Sequence, residues 1–300
     1  MELWKTVARC LQVDRLARRR RVASDAFRSS LTELLLGENG WVEQVDNHIR
    51  YRYDVTKCMF SSGNITEKLR ISKMNCAGEV VADMFAGIGY FVLPYLVHAQ
   101  AALVHACEWN ASAIEALRLN LALNKVQDKC IIHEGDCREV CPAQIADRVN
   151  MGILPSSKAY LPTACRALKP RGGFIHIHEN VTSSRLKKEG QSHMSLADSS
   201  KLKNNVERDA VLSEMEDGSS LLLMKDFFVK WNNIDSNWRK FATDCGNSVL
   251  RCLKVNYNGP WNVAIVSLYR VKSYAPRIDH LVLDLKCFPV QDFSFPVMNQ

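Results

Sequence analysis

Apolar residues occur in short runs through the middle of the chain, separated by segments in which they recur at helical spacing. The runs predict buried strands at residues 80–84, 102–108, 130–133, 148–153 and 174–178. Helices are predicted between them at residues 90–97, at residues 160–168, and after a cap at Asn110 or Ser112. Strands that alternate with helices in this way predict an α/β fold built on a parallel, doubly wound sheet.

The pattern changes towards both ends of this run. Residues 182–220 are rich in Ser, Lys, Glu and Asp with few large apolar side chains, which predicts an insertion or mobile loop. A helix at residues 238–253 and strands at 261–269 and 280–285 follow, the strands joined by a connection that includes residues 272–276. These last two strands predict a closing β-hairpin.

The first part of the chain predicts a separate α+β region. Apolar residues at helical spacing predict helical segments within residues 1–36, and residues 41–55 predict a hairpin around an Asp46-Asn47 turn. In its second strand Arg50 and Arg52 share the face opposite the apolar residues. We therefore predict a candidate RNA-facing region at residues 1–57 and a Rossmann-like domain at residues 58–300.

Composition is typical of a globular protein with a full core. Of the 300 residues 47% are hydrophobic and 24% are charged. No run approaches the ~20 apolar residues that span a bilayer, and the start lacks a secretory signal pattern. The 11 cysteines contain no CxxC pair. This usage predicts reduced thiols, no metal site and a cytoplasmic location.

The chain is basic, with a net charge of +7 and a pI near 8.8. That charge permits a polyanionic partner. The densest cluster is Arg15, Arg18, Arg19, Arg20 and Arg21. A phosphate-binding surface and a solvated basic face or localisation tract both remain open for it.

Polar residues follow the predicted strands where a doubly wound sheet binds its ligands. Asp83 ends the first strand and precedes Gly87 and Gly89, in a D-x-F-x-G-x-G pattern that opens a helix. Glu108 ends the second strand, and Asp136-Cys137 follows the third. Such a set suits an adenosyl cofactor.

Each member of this set has a matching role. We expect the glycines to lie near a methionine moiety and Glu108 to accept from both ribose hydroxyls. Asp136 can accept from the adenine amino group, with the Cys137 backbone N–H facing an adenine nitrogen. NAD is the alternative cofactor, since an acid after the second strand also fits it. Because Val92 replaces the third glycine of a dinucleotide motif and Asp136 follows the third strand, S-adenosylmethionine (AdoMet) is favoured.

Other polar residues have ordinary explanations. Asn64 and Glu67 have the spacing of a helix capping box. His176 and His178 alternate beside Glu179, and we interpret them as packed or hydrogen-bonded side chains because a third metal ligand is not apparent. Ser156-Ser157 lacks a nucleophile elbow, which argues against a hydrolase.

The motifs together resemble the family of tRNA wybutosine-synthesizing protein 2, the AdoMet-dependent tRNA aminocarboxypropyltransferases. The resemblance rests on several stretches: YDVTKCMFSSGNITEKLR at 53–70, FAGIGYF at 85–91, HACEWN at 105–110, ADRVN at 146–150, PSS at 155–157, VKSYAP at 271–276 and DH at 279–280. It covers most of residues 1–181 and 255–287. Residues 182–254 are only weakly similar, and the family's sequence before the region that matches Met1 is expected to be absent, as in a shortened form.

The resemblance implies a class I AdoMet-dependent methyltransferase-like fold and a specific reaction. That reaction transfers the 3-amino-3-carboxypropyl group of AdoMet, as co-substrate, to C7 of 4-demethylwyosine at position 37 of tRNA(Phe). AdoMet contacts are implied for Ser61, Lys68, Glu108, Asp136 and Cys137, with Lys68 as partner of the amino-acid carboxylate. With the residues noted above, the predicted cofactor-binding set is Phe60, Ser61, Lys68, Asp83, Gly87, Glu108, Asp136 and Cys137.

The sequence also offers candidates for base stacking, for the proton acceptor and for the partner. The flipped base would stack on Phe60 or Tyr90. No catalytic residue is identified, although His178 and Glu179 are candidate proton acceptors. The expected partner is the tRNA(Phe) anticodon loop, with no membrane and no obligate protein partner.

Three alternative functions remain open. The related tRNA guanine-37 N1-methyltransferases usually carry Asn-x-Pro after the fourth strand, where this chain has Ile153-Leu154-Pro155. The second alternative is a catalytically impaired short form that binds tRNA, and the third and least favoured is an NAD oxidoreductase.

Overall fold

The computed structural model describes residues 2–20, 30–60, 62–184 and 210–290. It divides the chain into two compact units, Met1–Ala146 and Asp147–Gln300. This grouping places residues 1–57 in the same unit as the glycine loop. The predicted boundary at residues 57/58 and the RNA-facing role of residues 1–57 stay predictions.

The first unit contains two short antiparallel sheets and three parallel strands. Its helices are α1 Glu2–Leu11, α2 Ile65–Ser72, α3 Val92–Val97, α4 Ala111–Leu123 and α5 Cys137–Val140. Its strands are β1 Leu16–Arg18, β2 Glu33–Leu36, β3 Trp41–Asp46, β4 Ile49–Asp54, β5 Val80–Asp83, β6 Leu103–Glu108 and β7 Cys130–Glu134. The parallel strand β6 pairs with β5 on one side and with β7 on the other. The carboxyl ends of these strands therefore bring Asp83, Glu108 and the residues after Glu134 to one edge.

The hairpin of β3 and β4 is built into the core of this unit. Ile49, Tyr51 and Tyr53 are buried on its inner face and pack in one cluster with Val81 and Leu93. Arg50 and Arg52 are exposed on the other face, as predicted. The two-residue turn is Asn47-His48, one position later than predicted, and both residues have positive φ.

The second unit is a mixed sheet covered by helices. Its strands are β8 Arg148–Met151, β9 Gly173–Thr182, β10 Ala210–Glu214, β11 Ser220–Leu223, β12 Trp261–Ala275 and β13 Ile278–Pro289. Its helices are α6 Leu161–Ala167, α7 Lys225–Trp231 and α8 Ser236–Asn256. Strand order within the unit is β10-β11-β12-β13-β9-β8, in which β8–β9 and β11–β12 are parallel pairs. Strands β12 and β13 form the closing hairpin, and they are longer than predicted because pairing continues to Ala275 and Ile278.

Three local predictions were wrong. The helical interpretation of residues 1–36 holds for α1, but β1 and β2 pair as strands, so the apolar run Leu34–Leu36 is extended. The predicted insertion at 182–220 contains β10 and the start of β11, and its residues 185–209 lie outside the described residues. Asn64 makes no side-chain capping bond to α2, and Glu67 accepts two hydrogen bonds from Arg70, each at 2.8 Å.

None of the helices in the described ranges is both long and apolar enough to cross a bilayer.

Candidate functional site

The glycine loop after β5 has a backbone that favours glycine. Gly87 has φ +55° and Gly89 has φ +101°, both in the left-handed region. A Cβ on Gly87 would lie 2.8 Å from a ring carbon of Tyr90. Asp83, which is fully buried, accepts a hydrogen bond from the Phe85 N–H at 3.2 Å. The sequence prediction of a tight loop at this strand end is confirmed.

Glu108 joins this loop to the next strand end. Its Oε2 accepts from the Gly87 N–H at 2.8 Å, and its Oε1 accepts from the N–H groups of Trp109 at 3.0 Å and Asn110 at 2.8 Å. Burial raises the pKa of Glu108, although these hydrogen bonds act in the opposite direction. Each carboxylate oxygen has two lone pairs, so acceptor capacity remains for a ligand hydroxyl. Asn110 in turn caps α4 by accepting from the Ser112 N–H at 3.0 Å.

Asp136 and Cys137 lie at the start of α5, shortly after the end of β7. The sequence analysis predicted that they bind the adenine of the cofactor. Asp136 accepts from the Arg138 N–H at 2.9 Å and from its guanidinium at 2.5 Å. The guanidinium hydrogen bond is the main reason that the pKa of Asp136 is lowered, so this carboxylate is ionised at neutral pH. Burial raises the pKa of the Cys137 thiol to about 12, so this cysteine is a protonated thiol and not a nucleophile.

Lys68 is a buried cation in the same unit. Its side chain is only 2% exposed and forms an ion pair with Asp46, the last residue of β3. The ammonium also lies 4.8 Å from the Phe60 ring centroid and 5.1 Å from the Tyr51 ring centroid. A buried ammonium beside two aromatic rings suits an anionic ligand group.

Phe60 and Tyr90 belong to an aromatic cluster. The Phe60 ring stacks on Tyr53 at 5.3 Å and lies 5.9 Å from the Tyr90 ring. Phe60 is 8% exposed, so its faces are engaged by protein side chains and base stacking on it stays a prediction. Ser61 lies outside the described residues.

The second unit carries the remaining candidates around the end of β9. Ser157 Oγ donates to the His178 carbonyl at 3.0 Å, and Ser156 forms a β-bridge with Glu179. A Glu179 carboxylate oxygen lies 3.7 Å from the Lys158 ammonium. Burial raises the pKa of Glu179, while contacts with Ser156 and Lys158 act to lower it.

The histidines of β9 are hydrogen-bonded, as predicted. His176 pairs with Asp284 at 2.5 Å and with Arg148 at 2.8 Å, while His178 pairs with His280 at 3.0 Å. Burial lowers the pKa of His280 to about 4. Within the ranges that the structure describes, no three His, Cys, Asp or Glu side chains gather as metal ligands.

Two polar residues of the first unit escaped the sequence analysis. Asn120 is fully buried on α4, where it accepts from the Arg52 N–H at 2.6 Å and donates to the Ile88 carbonyl at 2.9 Å. Its signal was a polar residue on the apolar face of a helix. Asp46 was assigned to a turn, and nothing in its neighbourhood in sequence indicated Lys68 as its partner.

Comparison with known proteins identifies one recurrent similarity. A family model described as "TRM5/TYW2 methyltransferase domain" matches residues 42–216. The tRNA wybutosine-synthesizing protein 2 homolog of Rattus norvegicus is 46% identical over 96% of this chain and 65% of its own length. The Homo sapiens homolog is 45% identical over 96% of this chain and 64% of its own length. The chain thus spans about two-thirds of the length of these relatives.

Solved structures show the same similarity. P. horikoshii TYW2 in complex with MeSAdo is 27% identical, with a TM-score of 0.63 over 95% of this chain and 81% of that one. M. jannaschii TYW2 in complex with AdoMet is 25% identical, with a TM-score of 0.61 over 86% of this chain and 91% of that one. The predicted class I AdoMet-dependent methyltransferase-like α/β fold is confirmed by these structures.

Proposed function

The chain belongs to the TRM5/TYW2 methyltransferase family, and from this membership we propose that it is a tRNA aminocarboxypropyltransferase. It would transfer the 3-amino-3-carboxypropyl group of AdoMet to C7 of 4-demethylwyosine at position 37 of tRNA(Phe). The observation that carries the proposal is the 46% identity, over 96% of the chain, to a protein named tRNA wybutosine-synthesizing protein 2 homolog.

The side chains of the first unit fit AdoMet as the co-substrate. We assign the ribose hydroxyls to Glu108 and the adenine to Asp136 and the Cys137 backbone. We assign the methionine moiety to the loop of Asp83 and Gly87 beside Phe60, and its carboxylate to Lys68 and Ser61. The positive φ angles of Gly87 and Gly89 support this assignment, because they let the backbone approach a ligand closely.

The reaction requires selection among the carbons attached to the sulfonium. C7 of the base attacks the terminal CH2 of the aminocarboxypropyl group, the bond from that carbon to sulfur breaks, methylthioadenosine leaves, and C7 loses its proton. The sulfonium carbon that lies in line with C7, at about 3–3.5 Å from it, is the one that reacts. Binding of the amino-acid carboxylate therefore decides which group is transferred. We propose that Lys68 is the cation that binds this carboxylate.

Glu179 is the better of the two candidate proton acceptors. Its burial raises the pKa of the carboxyl, which brings it closer to the range of an effective general base at neutral pH. His178 is engaged by His280 at 3.0 Å inside the second unit. Glu179 is therefore the candidate acceptor that we would test first.

The partner in this proposal is the anticodon loop of tRNA(Phe), and the location is the cytoplasm. The relatives from Rattus norvegicus and Homo sapiens are both named for the synthesis of wybutosine in tRNA, which supports tRNA as the substrate class. A protein with the same fold, aTrm5, has been solved in complex with tRNALeu.

A labelled assay tests the reaction. Purified protein is incubated with tRNA that carries 4-demethylwyosine and with AdoMet labelled in the carboxypropyl carbons. Label on the tRNA together with free methylthioadenosine is the expected result. AdoMet labelled in the methyl group is the matched control, and it should leave the tRNA unlabelled.

The alternatives give different products. A guanine-37 N1-methyltransferase would place the methyl label on tRNA with an unmodified guanine and release S-adenosylhomocysteine. A tRNA-binding form without activity would bind tRNA and leave both labels in AdoMet. Either outcome would contradict the aminocarboxypropyl assignment.

A further inference from the structure

The ion pair between Lys68 and Asp46 joins two elements that are far apart in sequence. Lys68 lies on α2, and Asp46 ends β3 at the tip of the hairpin. Their side chains are 2% and 13% exposed, so water does little to satisfy either charge. Asp46 is the one ionic partner of Lys68 among the described residues.

The tip of the hairpin is held in place without help from this ion pair. Asn47 donates from its side-chain amide to Ser72 Oγ at 3.0 Å, and Ser72 Oγ donates to the Lys68 carbonyl at 2.8 Å. The Asn47 carbonyl also pairs with His98 Nε2 at 2.8 Å. Asp46 therefore projects from a fixed backbone, whereas the ammonium stands at the end of a long flexible stem.

A lysine ammonium has three donors, and Asp46 accepts one of them. The ammonium faces the rings of Phe60 and Tyr51, and a ring face cannot satisfy it as fully as an oxygen does. A second carboxylate can thus bind the ammonium while Asp46 stays bonded. Without Asp46, an uncompensated cation would remain beside the two rings, and the side chain would move towards water.

We propose that Asp46 is a positioning residue, which fixes the Lys68 ammonium where it grips the carboxylate of the AdoMet amino-acid moiety. Asp46 thereby helps to determine which sulfonium carbon is presented to the base. This inference rests on the proposed function, since it assumes AdoMet as the ligand of Lys68.

The affinities for two ligands distinguish a positioning role of Asp46 from a general structural role. AdoMet carries the aminocarboxypropyl group, whereas methylthioadenosine shares its adenosine and sulfur but has no carboxylate. We expect Asp46→Asn to weaken AdoMet binding at least tenfold and to change methylthioadenosine binding less than twofold, measured by calorimetry. Asp46→Glu, which keeps the charge, should recover most of the affinity for AdoMet.

Glu43→Gln is the matched control, because it removes an acid from the same strand. Glu43 accepts from Arg50 at 2.7 Å on the exposed face, away from Lys68, so both affinities should stay within twofold of wild type. Equal loss for both ligands in Asp46→Asn would show a structural role, and unchanged or tighter AdoMet binding would show that Asp46 does not support the grip. Either result overturns the proposal. A wild-type chain that binds neither ligand would instead refute the proposed function.

If Asp46→Asn does not fold, a double variant provides a second test of the same proposal. Asp46→Asn with Lys68→Met buries no unpaired charge, and it is compared with Lys68→Met alone. If Asp46 acts through Lys68, the two variants bind AdoMet equally within twofold. A further loss in the double variant would overturn the proposal.

Discussion

At the scale of single residues, Glu108 combines a structural contact with its proposed ligand contact. Its carboxylate holds the N–H of Gly87 and also the two N–H groups that lead into α4. In the proposed complex, the same carboxylate would accept from the ribose while it holds the glycine loop. The two roles are expected to fail together when the carboxylate is lost.

Glu108→Ala should therefore weaken AdoMet and methylthioadenosine alike, because both contain the ribose. We expect at least a tenfold loss for each, since hydrogen bonds to a charged group contribute about 1.5–3 kcal/mol. Isothermal titration calorimetry measures both affinities. Glu115→Gln, on the following helix, is the control and should bind both ligands normally. Unchanged affinity in Glu108→Ala would contradict the ribose role.

Glu179→Gln should lower the turnover number about 100-fold while leaving AdoMet affinity unchanged, as expected for loss of a general base. In wild type the rate should fall as pH drops through the raised pKa of Glu179, because the protonated carboxyl cannot accept the C7 proton. That acid limb should disappear in the variant. Steady-state rates across the pH range measure it, with the exposed Glu214→Gln as control. An acid limb that persists in Glu179→Gln would assign the proton to another group.

At the scale of elements, two asparagines attach the hairpin to α4 by hydrogen bonds to the backbone of β4. Asn120 lies within α4 and Asn124 is its C-cap. Asn124 accepts from the Arg50 N–H at 3.0 Å and donates to the Arg50 carbonyl at 2.8 Å. Asn120 binds the Arg52 N–H one step along and also reaches the Ile88 carbonyl in the glycine loop. Asn120 thus links the outward-facing arginine strand to the loop proposed to bind the cofactor.

Asn120→Ala should destabilise the protein by about 2–4 kcal/mol, because it leaves the part-buried Arg52 N–H and the buried Ile88 carbonyl without their Asn120 partner. Asn124→Ala should cost about 1 kcal/mol, since water can replace its contacts at the exposed Arg50. Urea unfolding measures both changes. Equal effects of the two substitutions would contradict the linking role of Asn120.

At the scale of the whole molecule, some of the arginines that make the chain basic are already paired with acids, and others in the described ranges are free to bind a phosphate. Arg18 and Arg20 share Glu33, at 2.5 and 3.0 Å, and Arg50 pairs with Glu43. Arg52 instead lies 6.0 Å from the Trp41 ring centroid, a basic and aromatic pairing suited to RNA. Arg19 has no ionic partner within the part of the chain that the structure describes.

Arg19→Ala and Arg52→Ala should each weaken tRNA binding, and each should reduce the slope of log Kd against log salt by about 1. Arg18→Ala should change the slope less, because Glu33 already neutralises that charge. Filter binding from low to physiological salt gives the slopes. Identical slopes for all three variants and wild type would show that this region does not contact phosphate.

The sequence predicted most of the α/β core and the strand edge at which we propose that the ligand binds. The acids Asp83, Glu108 and Asp136 could be found because parallel strands bring their carboxyl ends to a common edge whatever the details of packing. Leu34–Leu36 misled the helical interpretation, since three consecutive leucines also fit a strand and only pairing with β1 decides between them. The partners of Lys68 and Asn120 could not be predicted, because each contact joins segments that only tertiary packing brings together.

The buried pair of His178 and His280 also couples folding to proton uptake. An unfolded chain binds a proton at His280 near the ordinary histidine pKa of about 6.5, whereas the folded chain resists protonation until about pH 4. Stability from this residue is therefore complete above about pH 6.5 and declines as acidity increases, by up to about 1.4 kcal/mol per pH unit. Urea unfolding at pH 7.5, 5.5 and 4.5 should show this decline, and His280→Gln should flatten it whereas His48→Gln, at the exposed hairpin turn, should not. Burial of this imidazole thus makes mild acid destabilising for the folded chain.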